Sequence, residues 1–109
     1  MRIWDIPPNK LCRNHLLGEH RELHAIWSVL TNDKKGYARH PETLRWKGKL
    51  KALFYRHEAL TQEMAARGFR HLSPLAEKQA TGQGRQRIYV DSPRQQIMIL
   101  KNKKCRCDV

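Results

Sequence analysis

The clearest pattern in this chain is a stripe of apolar residues in its first third. They recur at intervals of three, four and seven residues, at Leu16, Leu23, Ile26, Trp27 and Leu30. Such spacing is typical of the buried face of an amphipathic helix. Asn9 is a suitable N-cap, because its side chain can accept a hydrogen bond from a free amide of the first turn. The pattern predicts a first helix over residues 10–30.

A second helix is predicted over residues 41–67. Pro41 suits the first helical position, and the carboxylate of Glu42 is favoured near the positive end of the helix dipole. The apolar face of this helix is formed by Trp46, Leu50, Leu53, Phe54, Leu60 and Met64. Gly68 then follows as the residue that ends the helix in a left-handed conformation, and Phe69 can pack back on Met64.

A short third helix is predicted over residues 93–103. Ser92 provides the cap and Pro93 the first helical position, and Ile97, Met98 and Leu100 are expected to point inward. Residues 75–87, between the second and third helices, are predicted to form a mobile loop. The chain shows no internal repeat and no heptad pattern, so we expect an all-α, compact single-domain bundle of three helices spanning residues 1–109.

The excess of positive charge indicates the class of binding partner. The 109 residues include 22 Lys and Arg but only 10 Asp and Glu, a formal charge of +12. A basic domain of this size usually binds a polyanion, most often nucleic acid. The second helix carries a cationic stripe of Arg45, Lys49 and Arg56, flanked by Lys47 and Lys51, and we expect it to contact phosphates. The apolar runs are too short for a membrane span or a signal peptide, which predicts a cytoplasmic, nucleoid-associated protein.

Residues 1–9 form a basic, proline-containing arm. Arg2 is too large to permit removal of the initiator methionine, so Met1 should keep a free α-amine at the chain end. With a reference pKa of about 7.7–8.0, roughly a tenth or more of such amines are neutral and nucleophilic at pH 7. The extended arm spans about 26 Å, which is enough to run back along the first helix to Glu22.

A second stripe on the first helix contains His15 and Glu22. Seven residues make almost two helical turns, so the two side chains stack on one face about 10 Å apart. Gly18 leaves a notch between them. Because a mid-helix glycine costs roughly 1 kcal/mol relative to alanine, we expect the returning arm to approach the helix closely at that point.

The three cysteines, Cys12, Cys105 and Cys107, do not have the spacing of a disulfide scaffold and fit a reducing compartment. Cys12 and His15 could form a zinc site with the carboxyl-terminal pair. From sequence alone we favour another interpretation, in which Cys12 is a small residue at a helix start and the pair lies in a basic tail that frays. No metal or organic cofactor is therefore expected.

Three segments together resemble a known family. They are the arm with HLLGEHRELHAIW, the segment HPETLRWKGKL, and the helix ending in MAARGF. They resemble the pyrimidine-dimer DNA glycosylases of the phage endonuclease V type, over most of residues 1–31 and 41–69. The first segment is the most specific, because it places His, Arg and Glu at the family's spacing from the amino terminus. The resemblance implies an all-helical fold with the N-terminal arm packed between the helices.

The resemblance also implies a chemistry. Members of this family act as DNA glycosylases with AP-lyase activity: the N-terminal amine attacks C1′ of the damaged nucleotide, displaces the base and forms an imine, and β-elimination then cuts the strand. Carried onto this chain, Met1 provides the nucleophilic amine and Glu22 the catalytic carboxylate. Arg2, His15 and Arg21 would contact the DNA beside the lesion. The expected partner is damaged double-stranded DNA, bound by a monomer.

Three departures from the family pattern bear on the substrate. Met1 stands where the phage enzyme exposes a threonine, Ala25 replaces an additional arginine of the first helix, and the tail KNKKCRCDV lacks the aromatic segment that contacts the dimer. A different lesion, or chiefly abasic sites, is therefore an open alternative. The alternative functions are a non-catalytic basic protein that binds or bends DNA, and a zinc-stabilised interaction domain.

Overall fold

The computed structural model describes residues 2–70 and 73–109, and it confirms the all-α fold. Four helices follow one another: α1 (Arg13–Thr31), α2 (Pro41–Leu44), α3 (Leu50–Ala66) and α4 (Pro93–Asn102). Short 3-10 turns lie at Pro8–Lys10 and Glu77–Gln79. The described residues contain no strand. Within them, no helix combines the length and apolar character that crossing a bilayer requires.

The core lies between α1, α3 and the arm, and α1 and α3 form the most extensive helix–helix contact. The predicted stripe of α1 is confirmed, since Leu16, Leu23 and Ile26 are fully buried. The arm contributes to the core as well. Three of its apolar side chains are also buried, those of Ile3, Trp4 and Ile6, and Leu11 just after the arm is buried with them. The amino-terminal segment is therefore part of the core rather than a strap laid over it.

The first helix begins later than predicted. Asn9 lies inside the first 3-10 turn, and the residue that precedes α1 is Cys12, whose side chain makes no capping hydrogen bond. Leu11 has an extended backbone (φ −80°, ψ 139°) and is only 2% exposed. Burying this side chain in the core outweighs the modest gain from a capped helix start at Asn9, so the prediction of Asn9 as the cap was wrong.

The predicted second helix is divided into α2 and α3 by a turn at residues 45–49. Gly48 has a φ of +76°, a left-handed conformation that interrupts the helix. The segment predicted as a mobile loop packs against this break. The carbonyl groups of Thr81 and Gln83 accept hydrogen bonds from the first amides of α3, those of Lys51 (2.8 Å) and Ala52 (3.1 Å). These bonds satisfy donors that a helix start otherwise leaves free.

The predicted helix ends are largely confirmed. Gly68 adopts a φ of +83°, and the amide of Phe69 donates to the carbonyl of Met64 (2.9 Å), which is the bond of a Schellman motif. Ser92 caps α4 and forms a capping box with Gln95. One inward residue of α4 was wrongly predicted: Met98 is 55% exposed. The buried positions of α4 are Gln96 and Leu100, four residues apart on one face.

Candidate functional site

The arm is held by hydrogen bonds from three successive backbone amides. The amide of Ile3 donates to Glu42 Oε1 (3.1 Å), that of Trp4 to Glu19 Oε1 (3.0 Å), and that of Asp5 to Gln96 Oε1 (2.7 Å). The three acceptors lie on α2, α1 and α4 respectively. One acceptor from each of these helices fixes the backbone of the arm, which confirms that the arm is packed between the helices.

Two guanidinium groups hold the arm from its carbonyl side. Arg45 Nη2 donates to the carbonyl oxygen of Ile3 (3.0 Å) and also pairs with Asp5 and Glu42. Arg56 Nη1 donates to the carbonyl oxygen of Ile6 (2.9 Å). Arg56 also forms a two-pronged pair with Glu19, through Nε (2.7 Å) and Nη2 (3.0 Å). We refer to Glu19, Glu42, Arg45, Arg56 and Gln96 as the arm cradle.

The charges of the arm cradle compensate one another inside the protein. Burial raises the pKa of Glu19, while the nearby Arg56 and the amide of Trp4 act in the opposite direction. Burial alone would lower the pKa of Arg45, but its hydrogen bonds and charge interactions with Glu42 and Asp5 outweigh this and raise the pKa. A buried carboxylate is tolerated only when it is paired and hydrogen-bonded. The arm and its partners therefore depend on one another.

The predicted cationic stripe is arranged differently from the expectation. The side chains of Arg45 and Arg56 are only 3% and 14% exposed. Lys49 is 8% exposed and donates to Gln86 Oε1 (2.8 Å). The break between α2 and α3 changes the helical register after residue 44, so these three residues do not form one continuous solvent-facing row. They are held by protein partners, and their contact with phosphate stays a prediction.

A second part of the predicted site lies open on α1. Arg21 is exposed and Glu22 half-buried, and neither forms an ion pair with another described residue. Gly18 lies one turn before them, and apart from the adjacent backbone of α1 a Cβ atom placed on it would have no described atom within 4 Å. Residues 2–9 do not make the predicted close approach at Gly18, because the described part of the arm meets α1 at Glu19. Met1 lies outside the described residues, so an approach by the chain end stays a prediction. We refer to Gly18, Arg21 and Glu22 as the open face.

Two further predicted residues, Arg2 and His15, are brought together by Trp4. The guanidinium of Arg2 lies 5.0 Å from the centre of the Trp4 ring and pairs with Asp91 at 2.9 Å. The ring of His15 meets Trp4 edge-on, with the ring centres 5.6 Å apart. Both residues therefore lie close to the buried arm. Met1, the predicted nucleophile, lies outside the described residues.

The carboxyl-terminal tail lies against the start of α1. The amide of Asp108 donates to the carbonyl of Lys10 (2.7 Å), and the amide of Cys12 donates to Cys107 Sγ (3.1 Å). The expectation that the tail frays was therefore wrong. His15 Nδ1 lies 3.1 Å from Cys12 Sγ and 3.2 Å from Cys107 Sγ. Burial and the positive charge of Lys103 lower the pKa of His15.

A cluster of three histidines was not predicted from the sequence. His24 Nε2 lies 3.2 Å from His20 Nε2 and 3.1 Å from His57 Nε2. The only sequence signal was the i, i+4 spacing of His20 and His24, which places both on one face of α1. His57 comes from α3 and is fully buried, so its place in the cluster depends on how α1 and α3 pack.

The fold and the site define a small, basic, all-helical protein built around its own amino-terminal arm. The family model described as pyrimidine dimer DNA glycosylase matches residues 1–77, which include the arm, α1, α2 and α3. The chain belongs to this family, so the resemblance is confirmed and the protein is a DNA-repair glycosylase by class. No curated protein and no solved structure matches the chain.

Proposed function

We propose that this protein excises a damaged base from double-stranded DNA and then cuts the strand as an AP lyase. Met1 provides its α-amine as the nucleophile, and Glu22 is the catalytic carboxylate. The lesion class suggested by the family is the pyrimidine dimer. The observation that carries the proposal is the arm cradle. Its side chains hold the backbone of residues 3–5 through hydrogen bonds of 2.7–3.1 Å. An enzyme whose nucleophile is its own chain end needs such a fixed arm.

The reach of the arm is consistent with an approach to Glu22. The amide of Trp4 is bonded to Glu19, and Glu22 lies three residues further along α1. Three helical residues advance about 4.5 Å, while three residues of extended chain span at most about 10 Å. The chain between Trp4 and Met1 is therefore long enough to bring the amine to the Glu22 carboxylate.

The proposed reaction begins with the neutral amine, whose lone pair attacks C1′ of the damaged nucleotide. The C1′–N bond to the base breaks, and the bonding electrons leave with the base. The sugar ring opens as the C1′–amine bond becomes an imine. Removal of a proton from C2′ then expels the 3′ phosphate by cleavage of the C3′–O bond. Water finally hydrolyses the imine and restores the amine, so the cycle needs no oxidant, reductant or cofactor.

Glu22 suits the charges that develop in this reaction. A carboxylate stabilises the positive charge that accumulates on the sugar as the base departs, and it can accept a proton in the later steps. Its half-buried position on the open face strengthens this effect relative to full exposure to water. Arg21, on the same face, is proposed to hold a phosphate, and Arg2 and His15 are proposed to contact the DNA nearby.

Access to C1′ requires distortion of the duplex. Extruding a nucleotide costs a few kcal/mol, and the cost is lowest where the base is damaged. The formal charge of +12 on 109 residues provides the non-specific attraction that brings a monomer of this protein to DNA. Release of counterions from the phosphates should make this binding weaken steeply with salt.

The proposal is tested by borohydride trapping of the untagged full chain on two duplexes, one with a cis-syn thymine dimer and one with an abasic site. The proposal expects a covalent adduct on both, mapped to Met1 by mass spectrometry. A protein carrying an uncleaved N-terminal extension is the control and should give no adduct at Met1. No adduct on either duplex, with binding retained, would refute the proposal in favour of a non-catalytic DNA-binding protein. An adduct on the abasic duplex alone would retain the lyase and refute the dimer as substrate.

A further inference from the structure

We propose that Cys12, His15, Cys105 and Cys107 form a structural zinc site that fastens the carboxyl-terminal tail to the start of α1. The ligand atoms of these four residues all lie within 4.8 Å of one another. Three thiolates and one imidazole are a common ligand set of structural zinc sites. Cys105 and Cys107 lie beyond residues 1–77, so the site combines the family region with a segment that the family model does not match.

The distances are close to those of a tetrahedral site. Zinc binds sulfur at about 2.3 Å and nitrogen at about 2.0–2.1 Å, which places neighbouring ligand atoms roughly 3.4–3.8 Å apart. His15 Nδ1 lies 3.1 Å from Cys12 Sγ and 3.2 Å from Cys107 Sγ. Small rotations of these side chains would open enough space for the ion. The backbone is already in place, because the bond between Asp108 and Lys10 holds the tail beside α1.

One sulfur atom already accepts a hydrogen bond of the kind found at metal centres. The amide of Cys12 donates to Cys107 Sγ (3.1 Å), and such bonds to ligating sulfur atoms stabilise a metal centre. Three thiolates with one Zn²⁺ and a neutral imidazole leave one net negative charge. The charged lining of the neighbouring cavity of about 940 Å³ is one acidic residue, Asp108, and six basic ones: Lys10, Arg13, Arg67, Lys103, Lys104 and Arg106. This basic surround offsets the charge of the site.

A disulfide accounts for the cluster less well. It would use two of the three sulfur atoms and would leave the third, together with the nitrogen of His15, without a role. All three cysteines are free thiols in the structure. A zinc site uses all four groups at once and explains why a tail with so many positive charges lies against a basic helix start.

Zinc binding would also affect His15, one of the residues proposed to contact DNA. Coordination through Nδ1 would fix the ring of His15, whose edge already packs on Trp4, and would leave Nε2 to donate a hydrogen bond. Zinc binding would therefore orient a residue proposed to contact DNA while lying outside the reaction itself. Because the thiols must lose their protons to bind zinc, affinity should fall at low pH.

The first test is the metal content of the untagged full chain, measured by mass spectrometry of the elements after purification without chelator. We expect about one zinc per chain. Replacement by Co²⁺ should give the intense visible bands of tetrahedral thiolate coordination. Removal of the metal with a chelator should lower the melting temperature, because metal binding is coupled to folding.

Variants then locate the metal. Cys105→Ser and Cys107→Ser should each lose most of the zinc, whereas Lys104→Ser, in the same tail, should retain it. His20→Gln is the second control, because His20, His24 and His57 form the other possible metal cluster of the described residues. If the cysteine variants fail to fold, the cobalt spectrum of the unmodified chain decides between thiolate and all-histidine coordination.

Two results would overturn the proposal. One is a chain that binds neither zinc nor cobalt when the metal is supplied in excess under reducing conditions. The other is a metal that persists in both cysteine variants and is lost in His20→Gln, which would assign it to the histidine cluster. Neither result would affect the proposed imine chemistry, which uses no metal.

Discussion

Two glutamates three residues apart on α1 show how differently the protein uses its two regions. Glu19, in the arm cradle, is fully buried, accepts the amide of Trp4 and is paired with Arg56. Glu22, on the open face, is half-buried and forms no ion pair with another described residue. The same residue type is thus a structural anchor in one place and an uncommitted carboxylate in the other. Burial and pairing, rather than residue identity, separate the two roles.

Pairing between opposite charges explains why so many charged side chains lie inside so small a protein. Arg45, Arg56, Glu19 and Glu42 are costly to bury, and they are held there by bonds to the arm and to each other. Their ordered bonds fix the arm before substrate binds. The open face keeps its charged groups unpaired with the described residues, as the proposed contact with DNA requires. Substitutions of the charged residues in the arm cradle should therefore act mainly on stability, and substitution of Glu22 on the open face should act mainly on activity.

The largest expected effect is on the open face. Glu22→Gln should slow base release and strand cleavage by about 10²–10⁴-fold, the usual contribution of a positioned acid–base group. Binding to damaged duplex should change only a few-fold, since the amide keeps the size of the carboxylate. Single-turnover cleavage and a separate binding titration measure the two quantities.

Glu77→Gln provides the matched control, because Glu77 is exposed and lies in the second 3-10 turn rather than on α1. Its rate should equal that of the unmodified chain. Cleavage by Glu22→Gln at the rate of this control would remove Glu22 from the mechanism, while leaving the structural role of Glu19 untouched.

In the arm cradle the largest effect is expected for Arg56→Met. The substitution leaves Glu19 buried without its partner, which typically costs about 3–5 kcal/mol in the free energy of unfolding. Without Arg56, burial raises the pKa of Glu19 further above its unfolded value. A raised carboxyl pKa favours the protonated form in the fold, so stability is lost as pH rises through that pKa. Denaturant unfolding should therefore show a deficit that shrinks between pH 8 and pH 5.

Arg94→Met changes the same functional group at an exposed position in the first turn of α4. It should shift the free energy of unfolding by less than about 0.5 kcal/mol. An equal loss in the two variants would mean that the buried pair contributes nothing beyond removal of a surface charge, and the description of the arm cradle as an anchor would fail.

A smaller effect is expected for Gln96→Leu, the member of the arm cradle that lies on α4. The substitution removes the acceptor for the amide of Asp5 and the donor to the carbonyl of Asp91. Leaving buried polar groups unpaired costs about 1–3 kcal/mol. If the cradle positions the nucleophile, imine formation should also slow while DNA affinity stays the same. Gln62→Leu, exposed on α3, is the control, and identical trapping rates in the two variants would deny the arm a positioning role.

Local signals explain which parts of the fold were predictable. The end of α3 at Gly68 and the cap of α4 at Ser92 each follow from a few neighbouring residues, and both were predicted. The break at Gly48 was missed because the apolar spacing from Trp46 to Leu50 and Leu53 continues through it. A single glycine in a helix costs only about 1 kcal/mol of helix stability relative to alanine, so its presence in the sequence does not indicate a break.

The site was less predictable because its contacts join distant parts of the chain. Ile3 and Glu42 are 39 residues apart, and Asp5 and Gln96 are 91 apart. Periodicity within one helix carries no information about such pairs. The charge of Arg45 was visible in the sequence, but its inward direction depends on the helix break and on the buried arm. Arg21 and Glu22 were predicted because the segment HLLGEHRELHAIW resembles the family, and that resemblance depends on residues close together in the chain.

The smallest expected effect is that of a substitution at Gly18, on the open face. Gly18→Ala should raise the free energy of unfolding by up to about 1 kcal/mol, because alanine favours the helix. Apart from the adjacent backbone of α1, its methyl group would meet no described atom within 4 Å. If the notch at Gly18 receives the DNA backbone, the same methyl group should weaken binding to damaged duplex. Gly36→Ala, also in open space but outside the helices, is the control for both measurements. A variant that is more stable and binds DNA as before would show that the glycine leaves space the substrate does not use, and would narrow the open face to Arg21 and Glu22.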